Sequence, residues 1–77
     1  MKIQVLGTGC AKCKQLTASA EKAVAELGLG IPVEKVEDIR EIMKFKVMST
    51  PALVIDGQVK STGKVLSPEE VKAFLRP

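Results

Sequence analysis

The feature that most constrains this chain is a change of hydrophobic period between its first two segments. Residues 2–6, KIQVL, alternate apolar and polar side chains, include β-branched residues, and stop at Gly7. A period of two marks a half-buried strand. From Ala11 to Leu27 the positions Cys13, Leu16, Ala20, Ala23, Val24 and Leu27 recur three or four residues apart, which gathers them on one face of a helix. Gly28 stands where a left-handed residue would end that helix. IPVEKV, residues 31–36, supplies a second short strand, placed at a sheet edge because Pro32 has no N–H to give to a ladder. A strand, a helix and a second strand in this order make a parallel, right-handed crossover.

The remainder extends that unit. Asp38 can cap a helix running to about Phe45, with Ile39, Ile42 and Met43 facing inward. Met-Ser-Thr-Pro at 48–51 breaks it. ALVI and QVKS follow, joined by Asp56-Gly57, the favoured two-residue hairpin turn. Ser67 then reads as an N-cap, Pro68 as the first helical residue and Glu70 as the partner in a capping box, with Leu66 and Val71 as the hydrophobic staple. The last helix runs to about Leu75, with Val71, Phe74 and Leu75 inward. The predicted order is β-α-β-α-β-β-α, an α/β fold with a four-stranded mixed sheet, three helices covering both faces, and one domain over residues 1–77.

Composition removes several function classes. The chain has no His, Trp or Tyr. Imidazole is therefore missing as general base and as metal ligand, so a metal site would have to use thiolates and carboxylates. The net charge of +3 comes from scattered residues with no aromatics interleaved to stack bases, which argues against nucleic-acid binding. No apolar run exceeds four residues, too few to span a bilayer. The start, Met-Lys followed by a strand, lacks the apolar region of a signal peptide. The expectation is a cytoplasmic, reducing compartment, where a Cys-x-x-Cys pair is catalytic or metal-binding rather than a permanent cross-link.

Cys10 and Cys13 are the only cysteines, and they fall at the start of the first helix. If the helix begins just after Cys10, that thiol sits at the N-cap, while Cys13 joins the inward stripe with Leu16 and Ala20. The two are then unequal, one exposed and one shielded. A helix N-terminus offers unpaired N–H groups and the positive end of the dipole, and both favour a thiolate at Cys10. Lys12 and Lys14 add positive charge beside it, where lysines otherwise oppose the dipole. Gly7 and Gly9 read either as plain turn residues or as a bare approach to Cys10. Met43 reads as core filler and Met48, beside Ser-Thr-Pro, as a rim contact for substrate.

GCAKC between the first strand and helix, together with STPALVIDG before the hairpin, resembles the thioredoxin/glutaredoxin superfamily. More narrowly, the chain resembles its small glutaredoxin-like thioredoxins of roughly eighty residues, over essentially its whole length. The resemblance implies a thioredoxin-like fold and thiol–disulfide exchange with protein disulfides. Cys10 would be the nucleophile and Cys13 the resolving thiol, with no cofactor. It further implies a cis proline at Pro51 against the active-site sulfurs, and a substrate strand pairing with the backbone of Thr50. Gly9 and Lys12 complete the expected substrate-binding set, Lys12 as tuner of charge and partner choice.

Three departures from the family pattern matter. Gln4 occupies the position of the buried aspartate that assists proton transfer in ordinary thioredoxins, so activation of Cys13 would be slower or use another base. Gly9 replaces the tryptophan before the first cysteine. Ala11-Lys12 between the cysteines, and a single Gly63 followed by Lys64, point away from glutathione and toward a protein disulfide reductase as partner. The alternative reading is a soft-metal carrier binding Cu(I) through the two thiolates. It is opposed by the well-capped final helix, since copper-transfer domains run β-α-β-β-α-β and end on a strand.

Overall fold

A computed structural model of the chain describes residues 1–9, 11–47 and 49–75. The elements are β1 (Ile3–Leu6), α1 (Ala11–Leu27), β2 (Val33–Val36), α2 (Ile39–Lys44), β3 (Ala52–Ile55), β4 (Gln58–Thr62) and α3 (Pro68–Leu75). The strands form one sheet in the order β2-β1-β3-β4. β1 is parallel to β2, with Ile3 opposite Val33 and Leu6 opposite Val36. It is antiparallel to β3, and β3 is antiparallel to β4. The mixed α/β order expected from the sequence is therefore the order observed.

Local chemistry accounts for the boundaries. β2 starts at Val33 rather than Ile31, because Pro32 cannot enter a ladder. Asp38 accepts a hydrogen bond from the Arg40 N–H at 2.8 Å and caps α2. Asp56 and Gly57 both have positive φ, 51° and 79°, as a tight hairpin turn with strand-matching twist requires. The turn is tied to the head of β1: the Lys2 N–H donates to Asp56 Oδ1, and the Asp56 N–H donates to the Lys2 carbonyl, each at 2.8 Å. At α3 the capping box closes in both directions, Ser67 N–H to Glu70 Oε1 at 3.1 Å and Glu70 N–H to Ser67 Oγ at 3.2 Å.

Strand alternation sorts the core onto the two faces of the sheet. Ile3, Val5, Leu53 and Ile55 pack with Leu16, Ala20, Val71 and Leu75 of α1 and α3. Leu6, Ala52 and Val54 pack with Ile42 of α2, flanked by Val36, Phe45 and Val47. Three expected core positions are not in the core. Ile39 is 59% exposed, Met43 67% and Phe74 40%. α2 has six residues, fewer than two turns, and buries Ile42 alone, so Ile39 and Met43 stay outside. Met43 is a surface residue rather than filler. In α3 the inward pair is Val71 and Leu75, one turn apart, and Phe74 lies beside that stripe.

α1 and α3 are also joined by charge. Lys72, its side chain only 12% exposed, pairs with Glu26 of α1 and with Glu69 at 2.9 Å. The hydrogen bond to Glu26 raises the Lys72 pKa above its ordinary 10.5, helped by Glu69. The same bond lowers Glu26 below its ordinary 4.5. The raised lysine stabilises the fold fully below its unfolded value and loses that contribution as pH rises through the folded one. The depressed glutamate contributes above its unfolded value and loses it as pH falls through the folded one. Lys72→Met is therefore expected to lower the melting temperature across the plateau between these limits. Its difference from wild type should shrink in acid and in strong alkali. A constant difference in thermal melts at all pH values would assign the effect to packing rather than charge.

Candidate active site

Cys13 occupies the second half-turn of α1 and is 4% exposed, on the stripe shared with Leu16 and Ala20, as the helical spacing requires. Gly7, just past β1, lies directly against it: a Cβ built on Gly7 would collide with Cys13 Sγ. Gly7 is held there by its N–H, which donates to the Val36 carbonyl at 2.9 Å. Below, the buried Thr17 hydroxyl donates to the Cys13 carbonyl at 2.9 Å, a back-bond across one helical turn. Space rather than backbone conformation explains the glycine at position 7, since the positive-φ glycines are at other positions.

The Thr50–Pro51 peptide is cis, Pro51 is fully buried, and its carbonyl accepts the Gly63 N–H at 2.8 Å. Thr50 is exposed, and its Cβ lies 3.9 Å from the position a Gly7 Cβ would take. The fold thus brings Thr50-Pro51 to the same glycine that covers Cys13. Gly9 has φ of 88°, and a side chain there would meet Glu37 Oε2 at 3.2 Å. Lys12 is exposed on α1 and stands apart from these contacts, whereas Lys14 turns toward them. Cys10, the expected exposed thiol, and Met48, the expected rim contact, lie outside the described residues. α1 begins at Ala11, immediately after Cys10.

Beside Cys13 is a small cavity of about 130 Å³, walled by Gly7, Cys13, Lys14, Thr17, Lys35 and Glu37 among others. Lys35 and Glu37 were missed by motif reasoning. The signal was alternation in VEKVE: Val33 packs toward α1 and Val36 toward α2, so Lys35 and Glu37 take the α1 side. By the same alternation Gln4 shares the α2 face with Leu6, while Val5 faces the cavity. Among the described residues no helix is long and apolar enough to cross a membrane.

A buried cysteine in the first turn of a helix, under a glycine and next to a Thr-Pro that opens a central strand, defines the thioredoxin-like class of α/β proteins. Comparison with known proteins agrees. A family model described as a thioredoxin domain matches residues 1–76. A thioredoxin of Methanothermobacter thermautotrophicus is 43% identical over 75 residues, 97% of each chain. A thioredoxin of Methanocaldococcus jannaschii is 40% identical over 74 residues, 96% of this chain and 85% of the relative. The chain belongs to the thioredoxin family, a family of thiol–disulfide oxidoreductases.

Proposed function

We propose that this enzyme reduces protein disulfides through Cys10 and Cys13. The Cys10 thiolate attacks one sulfur of the substrate disulfide, displacing the other as a thiolate and forming a mixed disulfide. Cys13 then loses its proton and attacks Cys10 Sγ. The Cys10–Cys13 bond forms, the bond to substrate breaks, and two electrons have passed from the dithiol to the substrate. A protein disulfide reductase resets the pair, in the cytoplasm, with the whole chain 1–77 acting as one domain.

The observation that carries this reading is the seclusion of Cys13 beneath Gly7, with Thr50-Pro51 alongside. A shielded second thiol suits resolution, because it is reached by a bound mixed disulfide and not by bulk thiols. Gly9 leaves the approach to Cys10 bare, the backbone of Thr50 can pair with an extended substrate segment, and Pro51 packs beneath it. Lys12 adds positive charge to the first turn of α1, which favours the thiolate.

The test is reduction of a protein disulfide, with trapping. Cys10→Ser is expected to abolish exchange. Cys13→Ser is expected to retain the first attack and to accumulate the mixed disulfide, visible by mass spectrometry as an added substrate mass. Normal turnover by Cys13→Ser, or exchange surviving in Cys10→Ser, would reverse or remove these roles.

A further inference from the structure

Resolution demands that a buried thiol give up its proton, and burial disfavours the thiolate. The family pattern's acid position, Gln4, cannot titrate, and alternation puts it on the α2 face of the sheet. The side of Cys13 is different. Its cavity is closed at the end of β2 by two charged residues, Lys35 and Glu37, and on its own helix by Lys14. β1 contributes Val5 to this wall and the turn after it Gly7 and Gly9, none of them ionisable. Glu37 reaches the site because Gly9 has no side chain: a Cβ there would crowd its Oε2 at 3.2 Å.

Resting on the dithiol reading above, we infer that Glu37 is the proton acceptor for Cys13 during resolution, working across the cavity from the end of β2. Lys14 and Lys35 bring positive charge to the same cavity. They stabilise the negative charge as it forms on sulfur. Glu37 is the carboxylate in the cavity wall, and it is exposed, so a proton taken from Cys13 can be passed on to solvent. A cavity of about 130 Å³ also has room for a few waters, at roughly 30 Å³ each, to carry the proton over the intervening distance. In the step, the Cys13 S–H bond breaks and its proton moves to the Glu37 carboxylate. The sulfur's electron pair forms the bond to Cys10, and the substrate sulfur departs with the pair from the broken disulfide. Protonated Glu37 then releases its proton to solvent or to the departing thiolate.

Reaction of the fully reduced protein with one equivalent of an aromatic disulfide whose thiolate is coloured tests this. The first release of thiolate reads attack by Cys10, and the second reads resolution by Cys13. Glu37→Gln is expected to slow the second release near neutral pH by about 10²–10⁴-fold, the range typical of lost acid–base assistance, and to leave the first release close to wild type. The deficit should close in alkali, where hydroxide takes the Cys13 proton directly. Glu37→Asp should recover part of the rate. An unchanged second release, or a deficit equal at every pH and shared by Glu37→Asp, overturns the role of Glu37. A wild-type protein that shows no second release overturns the dithiol reading itself, which is a separate result.

Discussion

Leu53→Ala is expected to cost about 2–5 kcal/mol of folding stability, the range for truncating a buried leucine that leaves a cavity. Leu53 sits in β3, a central strand, with no exposed surface, and packs in the layer between the sheet and helices α1 and α3. The consequence is large because the margin is small. At roughly 0.05–0.15 kcal/mol per residue, a chain of this length has about 4–12 kcal/mol in total. Urea denaturation should therefore show a markedly lower midpoint with little change in slope. Met43→Ala is the matched control. With Met43 67% exposed, its midpoint should stay within about 0.5 kcal/mol equivalent of wild type. Equal effects at the two positions would contradict the division into core and surface.

Gly7→Ala is expected to destabilise by about 1–3 kcal/mol, the usual cost of forcing an extra methyl into a packed site, and to disturb the surroundings of Cys13 directly. The added Cβ would occupy the space of Cys13 Sγ, so either the thiol swings away or the loop after β1 lifts from Val36. Both movements would break the seclusion of Cys13. Alkylation of Cys13 in the native, reduced protein, followed by peptide mass spectrometry, should become faster than in wild type, and the melting temperature should fall. If Cys13 remains as protected as before and stability is unchanged, Gly7 is an ordinary turn residue. The sequence left Gly7 balanced between a plain turn residue and a bare approach to Cys10; that its missing side chain makes room for Cys13 Sγ is visible only in three dimensions.

Local rules located most of the fold. The strand-to-helix change of period, the Asp56-Gly57 turn, the Asp38 cap and the Ser67/Glu70 box each depend on residues within a few positions of one another. Each reappears in the structure with the expected partners. The misplaced residues share one cause. Ile39, Met43 and Phe74 are apolar and helical, but burial depends on whether another element lies over them. α2 is too short to lay more than Ile42 on the sheet, and α3 turns Val71 and Leu75, not Phe74, toward α1.

The candidate site divides along the same line. Sequence by itself determined the parts whose chemistry is local: a cysteine pair spaced by one helical turn, the inward stripe that shelters Cys13, and a Thr-Pro at the entry to a strand. Tertiary structure alone decided what surrounds them. It placed Gly7 against the sulfur, brought Thr50-Pro51 from a distant strand to the same glycine, and set Lys35 and Glu37 around the cavity. It also joined Lys72 to Glu26 across two helices. The physical reason is that a covalent chain encodes its own torsional and hydrogen-bonding preferences over a few residues. A cavity wall is instead the meeting of several elements, and exists only once the parallel β1–β2 pair and the antiparallel β1–β3 pair have fixed their registers.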